Sequence, residues 1–441
     1  MTRPVPGVRT VAAAVAVVGA VCFVTLAVVL VPWHPVPGGG PPTLPAPDTV
    51  LSPEQLERAE AYAGPARWLG WSSLLVSLVV VCWLGFTEAG VRLVGRLRGW
   101  WWVRVVLGVA VVLLAGRLAT LPFAIAGYRR RVSYGLSTQA WPDWLRDVAV
   151  SWAINVVASS MVLLVIVGTA RRWRTWWPAI AAGIAATLVM LGSFVYPVLV
   201  EPLFSSFTPL PDGPLRTGVL KLAEAEGVHV DDVLEADASR RTTTLNAYVS
   251  GFGSTRRVVL YDNLVRDVPE DQVLSVVAHE LSHARHDDVL TGSLLGAAGS
   301  VLGIGLLGLV IERRRRRAHG PEMQRTAGDP AVVPLVLALV AVAGLLASPI
   351  QNGISRRIET RADVDALLAT HDPEAFIEVQ RQLAIRSLAD LTGPALTQFW
   401  FGSHPTTRER IAIAGWLSDL RVETEDQQLL PMFWPMDVQV S

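Results

Sequence analysis

The chain has 441 residues, of which 51% are hydrophobic and only 17% are charged. Soluble globular chains carry roughly 25% charged residues, so this balance argues against a soluble protein and indicates a membrane protein. The formal net charge is zero, which gives no reason to expect nucleic acid as a partner. The two cysteines, Cys22 and Cys82, lie inside apolar runs, so neither a disulfide framework nor a thiolate metal site is predicted.

Seven apolar runs are long enough to cross a membrane, because about 20 apolar residues span a hydrocarbon core of about 30 Å. They occupy residues 11–30, 68–86, 103–121, 148–170, 177–200, 290–311 and 331–350. Arg3 and Arg9 precede the first run without a clear cleavage site after it, so we expect a retained helix rather than a removed signal peptide. Arg117 and Asn155 lie within predicted spans, where polar groups usually face protein or a water-filled cavity. A snorkelling Arg117 stays open as the alternative.

The remaining segments are more polar. Residues 202–289 predict a helix at 215–226, short β-like runs around 228–233 and 257–261, and then a further helix. After the seventh span, helices are predicted at 355–370 and 373–388, and the tail is unassigned. The five arginines at 313–317 predict a charged loop at a membrane face.

The motif His279-Glu280-Leu281-Ser282-His283 follows residues 271–278, whose valines recur at helical spacing. Two histidines four residues apart share one helix face, so both rings can bind one Zn²⁺. Glu280 lies beside the first ring, where it can take a proton from water and deliver it to a leaving amine. The same five-residue pattern also occurs by chance on surface helices, so the motif needs support from the rest of the chain.

A third ligand is expected from another helix. Glu359 and Asp363 are four residues apart and share a face, so one carboxylate can bind the metal while the other orients a ligand histidine. His286 is the main competitor. It lies about two helical turns, ~10 Å, from His279, which is too far for comfortable shared coordination.

Taken together, the motifs resemble those of the type 1 CaaX prenyl endopeptidases, membrane zinc metalloproteases related to the heat-shock membrane protease HtpX. The resemblance extends over roughly residues 65–415. It is carried, in chain order, by residues 134–137 with Asp147, 196–197 with 202–204, 246–262, the metal motif, 355–363, and 403–405 with Arg410.

The resemblance implies roles for individual residues and for one strand. The zinc ligands are His279, His283 and Glu359, and the catalytic residues are Glu280, Asp363, His404 and Asn246. Asn246 and His404 would line the cleft and bind the substrate backbone or its oxyanion. Without the resemblance, Asn246 is better interpreted as a turn residue and His404 as a capping residue. Residues 246–261 resemble an edge strand to which an extended substrate can add. Helices of the family enclose a water-filled chamber, which would accommodate Arg117 and Asn155.

We therefore expect a mainly α polytopic membrane protein with about seven transmembrane helices and a split helical zinc-metalloprotease domain that carries a small β element. The expected domains are a first helix and Pro/Gly-rich loop (1–64), helices two to five (65–205), a metallopeptidase domain (206–415) interrupted by two helices at about 290–350, and a tail (416–441). The expected partners are a peptide or protein substrate and the lipid bilayer of the cell membrane, and the expected cofactor is one Zn²⁺ per chain.

The expected function is zinc-dependent peptide hydrolysis in the membrane, like that of a CaaX-type prenyl protease. An HtpX-like quality-control protease is the alternative within enzymes, and a seven-helix transporter or receptor with a vestigial metal site is the alternative from another class. The composition, rich in alanine, valine and arginine, is typical of bacteria, and a bacterium without CaaX prenylation would have no such substrate. Fold and peptide hydrolysis therefore transfer from the family, whereas the substrate does not.

The orientation in the membrane is predicted differently by two arguments. Arginines concentrate in the loops after spans two, four and six, so the positive-inside rule puts the N-terminus inside and the catalytic segments outside. The resemblance implies a cytosolic active site instead. We expect the loop charges to prevail.

Overall fold

The computed structural model describes residues 7–41, 43–317 and 326–426. Its α-helices are α1 (Val8–Leu30), α2 (Pro47–Val50), α3 (Pro53–Phe86), α4 (Glu88–Gly95), α5 (Trp101–Ser133), α6 (Trp141–Arg172), α7 (Trp177–Val195), α8 (Pro214–Ala225), α9 (Asp262–Asp267), α10 (Glu270–Arg285), α11 (Asp288–Arg317), α12 (Val333–Thr370), α13 (Pro373–Ser387), α14 (Ala395–Phe401) and α15 (Thr407–Asp426). Seven helices in this described part of the chain, α1, α3, α5, α6, α7, α11 and α12, are long and apolar enough to cross a membrane. The predicted mainly α fold class is therefore confirmed.

Several membrane helices extend beyond the predicted apolar runs, and α3 and α12 extend furthest. Helix α3 begins at Pro53 rather than near residue 68, because Ser52 and Gln55 cap its first turn reciprocally and Pro53 occupies the first helical position. Helix α12 joins the seventh span and the separately predicted helix at 355–370 into one element of 38 residues that contains Pro349. The prediction of a break before residue 355 was wrong, and Glu359 lies on a direct continuation of a membrane span.

Helices α1 and α11 pack against each other through small residues. A Cβ atom on Gly305 would lie 2.4 Å from the backbone nitrogen of Ala16, and one on Gly19 would lie 2.3 Å from the nitrogen of Leu302. Glycine at these two positions lets the helix backbones approach closely, which is how helices commonly associate in membranes.

A four-stranded sheet lies between the fifth and sixth spans in the sequence. Its strands are β1 (Phe207–Pro209), β2 (Asp232–Ala236), β3 (Ala247–Ser250) and β4 (Arg257–Tyr261), in the spatial order β1-β2-β4-β3. Strands β2 and β4 are parallel, and the other two pairs are antiparallel. Strand β2 begins later than the predicted run at 228–233.

The predicted edge strand at 246–261 is in fact two strands. Gly251 turns the chain between them at a φ of +91°, and a Cβ there would lie 2.3 Å from the carbonyl oxygen of Thr255. Of these two strands, only β3 lies at an edge of the sheet, because β4 is paired on both sides. One face of the sheet packs on α10 through a shared apolar core that includes Leu260, Val277 and Leu281.

The arginine-rich ends of several spans lie close together. Arg171, at the end of α6, donates a hydrogen bond from Nη1 to the carbonyl oxygen of Gly328, at 3.2 Å. The guanidinium of Arg314, near the end of α11, lies 5.9 Å from the ring centre of Phe86, the last residue of α3. The five arginines at 313–317 lie in the last turns of α11, so the prediction of a charged loop there was wrong. The contacts place the C-terminal ends of α3, α6 and α11 at one end of the bundle.

The two polar residues predicted at membrane depth have different surroundings. Asn155 is exposed and donates to the carbonyl oxygen of Ser151, at 2.8 Å. Arg117 is partly buried, and its Nε has no hydrogen-bond acceptor among the described residues. The Asn155 amide is therefore paired within its own helix.

Candidate metal centre

The two motif histidines lie in the last two turns of α10. Apolar residues of this helix, Val273, Val277 and Leu281, are buried against the sheet, which fixes the face that the histidines occupy. Acidic residues in the first turn, Glu270 and Asp271, suit the positive end of the helix dipole. The Nε2 atoms of His279 and His283 lie 3.2 Å apart.

Glu359 of α12 completes a group of three potential ligands. Its Oε2 lies 3.3 Å from Nε2 of His279, and its Oε1 lies 3.8 Å from Nε2 of His283. A tetrahedral zinc ion with bonds of about 2.0–2.1 Å separates its ligand atoms by roughly 3.3 Å, so these spacings suit one ion. Glu359 Oε2 is also buried without a hydrogen-bond donor of its own in the described part of the chain. The donor set and the geometry therefore fit a metal.

His286 lies outside this group. Its Nε2 is 2.9 Å from Oδ2 of Asp365, an oxygen that also accepts a hydrogen bond from Ser282 Oγ at 2.6 Å. Among the described residues, the group of closely spaced metal-binding side chains consists of His279, His283 and Glu359. The structure thus places the two sequence candidates for third ligand in different surroundings.

Asp363 contacts His279 at the ring nitrogen that faces away from Glu359. Its Oδ1 lies 2.9 Å from Nδ1 of His279, and its side chain is fully buried. Arg410 of α15 donates from Nε to both carboxylate oxygens, at 3.0 and 2.9 Å. With Nδ1–H directed at Asp363, Nε2 of His279 is the nitrogen that faces Glu359.

The electrostatics of the site favour positive charge between these carboxylates. Burial lowers the pKa of His279, but the hydrogen bond to Asp363 and the adjacent carboxylate of Glu359 outweigh it and raise that pKa to about 9. Burial raises the pKa of Glu280, while His279 and His283 act in the opposite direction. A carboxyl group with a raised pKa is suited to exchange protons near neutral pH.

His404 lies at the rim of the group, in the loop after α14. Its Nε2 is 3.4 Å from Glu359 Oε2, and its side chain is 61% exposed, so it is open to a bound molecule. Arg356 of α12 fixes this loop by donating from Nη1 to the carbonyl oxygens of Gln398 and Gly402, at 3.2 and 2.5 Å. Gln398 in turn donates from Nε2 to the carbonyl oxygen of His404, at 2.7 Å.

Asn246 lies apart from the three potential ligands. It is exposed and directly precedes β3, and its carbonyl oxygen accepts a hydrogen bond from Tyr261 N at 3.1 Å. Its side chain borders a cavity of about 410 Å³ that is also lined by Asp147 and Arg241. The described hydrogen bonds do not connect Asn246 with His279, and its position at the start of the edge strand is the feature that links it to the site.

Sequence reasoning missed three residues that support the ligands. Arg361 and Arg410 belonged to segments that carried the resemblance but had no assigned role, and Asp288, just after the motif, had none either. Asp288 Oδ2 lies 2.9 Å from Nδ1 of His283, and Arg361 donates to the other oxygen of Asp288. Asp288 follows His283 by only five residues, which is the one signal in the sequence that could have suggested this contact.

Comparisons with known proteins indicate the class of protein. The profile of Peptidase family M48 matches residues 209–415, and that of the CAAX prenyl protease N-terminal region, with five membrane helices, matches residues 41–206. The chain is 28% identical over 379 residues to the uncharacterized metalloprotease YhfN of Bacillus subtilis, covering 83% of this chain and 86% of the relative. It is 25% identical to the CAAX prenyl protease 1 homolog of Oryza sativa, covering 84% and 90%.

A solved structure shares the fold. The crystal structure of S. mikatae Ste24p superposes with a TM-score of 0.73 at 18% identity, covering 93% of this chain and all of the other. Fold and site thus define a multi-pass membrane metalloprotease. The chain belongs to Peptidase family M48, in the group whose N-terminal region is that of the CAAX prenyl proteases. The recognised family is confirmed.

Proposed function

We propose that the chain is a zinc-dependent endopeptidase of the cell membrane, with His279, His283 and Glu359 as zinc ligands. The observation that carries the proposal is the convergence of these three ligand atoms from two helices, beside an acidic group with a raised pKa. Imidazole and carboxylate donors with an open fourth position are typical of catalytic zinc sites. A bound zinc ion would supply a water of lowered pKa and polarise the substrate carbonyl.

The protein side chains divide the remaining work. Glu280 takes the proton of the attacking water and delivers it to the leaving amine. Asp363 holds His279 through Nδ1 and keeps Nε2 directed at the ligand position. His404, exposed beside Glu359, is placed to donate to the oxyanion that develops on the substrate carbonyl.

The substrate would bind as an extended peptide. Strand β3 is one of the two edge strands of the sheet, and it packs beside the motif helix α10, so a peptide strand can add to it near the site. Asn246, at the start of β3, would then contact the peptide backbone beyond the strand. The comparisons do not favour a transporter, a receptor or an HtpX-like quality-control protease. The proposal concerns peptide hydrolysis and does not extend to the CAAX substrates for which the relatives are named.

Replacing Glu280 tests the proposal. Glu280→Gln removes the proton-transfer group but no ligand, so we expect peptide hydrolysis to fall by about 10²- to 10⁴-fold while zinc stays bound at one per chain. His279→Ala should lose both zinc and activity. The assay combines metal analysis of purified protein with mass spectrometry of peptides released by active and inactive enzyme.

Glu270→Gln is the matched control, because Glu270 is an exposed residue in the first turn of the same helix. It should keep wild-type activity. A Glu280→Gln enzyme that cleaves peptides within a few-fold of the wild-type rate would refute the assignment, and wild-type protein without stoichiometric zinc would refute the cofactor.

A further inference from the structure

The second motif histidine has a support of its own. The carboxylate of Asp288 lies 2.9 Å from Nδ1 of His283, and the Asp288 side chain is only 10% exposed. Arg361 donates a hydrogen bond from Nη2 to the other oxygen of the same carboxylate. The arrangement repeats the one around His279, where Asp363 contacts the ring and Arg410 holds Asp363.

We propose that Asp288, held by Arg361, is a positioning residue that orients His283 for metal binding. The proposal rests on the proposed metal centre. A carboxylate that accepts Nδ1–H selects the tautomer whose Nε2 is free, fixes the ring orientation and makes Nε2 a better donor to a metal.

Packing restrains the ring of His283 less than that of His279. The side chain of His283 is 20% exposed and that of His279 is 8% exposed. His283 also lies in the last turn of α10, which ends two residues later at Arg285. A side chain near a helix end, with fewer neighbours, depends more on a directed hydrogen bond for its orientation.

The backbone brings Asp288 back toward the ring. Asp287 adopts a φ of +51° between α10 and α11, and Asp288 is the first residue of α11. Arg361 lies on α12, so the sixth and seventh spans meet at this ion pair. The orientation of a metal ligand thereby depends on how these two membrane helices are aligned with each other.

Zinc affinity of the full-length protein in detergent, measured by competition with a chelator, tests the role directly. Asp288→Ala should weaken zinc binding by about 10- to 100-fold, the usual effect of removing a group that supports a ligand histidine. Asp288→Asn keeps an acceptor oxygen, so its zinc affinity should lie between those of Asp288→Ala and wild type. With Co²⁺ in place of zinc, the visible absorption spectrum of Asp288→Ala should differ from that of wild type, because the ligand field has changed.

Asp287→Asn is the matched control. It makes the same charge change one residue earlier, at a side chain that is 58% exposed and pairs with Arg256. Asparagine tolerates a positive φ well, so the turn is kept. We expect its zinc affinity to stay within about twofold of wild type, since it touches neither histidine in this arrangement.

A double variant separates positioning from simple ion pairing. Asp288→Asn alone leaves the Arg361 charge uncompensated, whereas Asp288→Asn with Arg361→Gln removes both charges. If the loss of zinc affinity reflects lost support for His283, it should persist in the double variant. Recovery of wild-type affinity there would overturn the proposal, as would Asp288→Ala protein that binds zinc within twofold of wild type. Either result, with stoichiometric zinc in wild type, leaves the proposed function standing.

Discussion

Replacing Arg410 should weaken the metal centre without touching a ligand. Asp363 is fully buried, and Arg410 is the cation that contacts both of its oxygens, at 3.0 and 2.9 Å. Removing one partner of a buried ion pair costs about 3–5 kcal/mol, because the other charge is left uncompensated. Since Asp363 also orients His279, we expect Arg410→Gln to weaken zinc binding by about 10- to 100-fold and to lower the stability of the metal-free protein.

Arg408→Gln provides the comparison, since Arg408 lies on the same helix and donates from Nε to the carbonyl oxygen of Pro45, at 2.8 Å. It loses one hydrogen bond, a net contribution of about 1.5–3 kcal/mol for a charged donor, and should keep its zinc affinity. Chelator competition and thermal unfolding of the metal-free proteins, in one detergent, measure the two effects separately. Zinc affinity of Arg410→Gln within about threefold of wild type would refute the reasoning.

Three further outcomes are expected. Glu359→Ala should weaken zinc binding by roughly 100-fold, because a zinc-binding free energy of about 10–16 kcal/mol shared by four ligands is roughly 3 kcal/mol for each. His286→Ala should leave zinc affinity nearly unchanged, and a chelation assay that ranks the two variants in reverse would exclude Glu359. Arg356→Gln should free the loop that carries His404 and so raise KM or lower kcat while zinc stays bound. Arg357→Gln, at an exposed neighbouring residue, should change neither constant, and equal effects of the two variants in kinetic assays would contradict a role for Arg356. A reporter active only in the cytosol, fused after Ser441, should be silent in intact cells if the loop arginines set the orientation, and strong signal from it would reverse that assignment.

Much of the architecture follows from patterns that are local in sequence. The spans are visible because about 20 consecutive apolar residues are needed to cross a membrane, and the motif histidines share a face because four residues complete about one helical turn. Glu359 was predicted by the same rule, through its spacing from Asp363. The ligand positions themselves remain a prediction that metal analysis must test.

The parts that sequence reasoning missed depend on contacts between distant residues. Arg361 pairs with Asp288 across 73 positions, and Arg410 pairs with Asp363 across 47. The chain has 38 basic and 38 acidic residues, so the correct pairs cannot be selected from sequence alone.

The break expected before residue 355 has a related cause. Gly353 is a residue type that weakens helices. Asn352 and Arg356, on either side of it, hydrogen-bond backbone carbonyls of α14 and its following loop and hold this part of α12 in place. Tertiary contacts thus override the local preference.

Helix α12 continues from the seventh span to Glu359, so it sets the distance between the membrane and the candidate metal centre. Glu359 is 26 residues beyond Val333, a rise of about 39 Å at 1.5 Å per residue, whereas the hydrocarbon core is about 30 Å thick. If the core begins at Val333 and the helix crosses it upright, Glu359 would lie roughly 10 Å beyond its far side. Because an extended chain advances about 3.3 Å per residue, a membrane-anchored substrate would be cut about three residues from where it leaves the bilayer. Distance from the membrane, as much as side-chain identity, would then decide which peptide bond is hydrolysed.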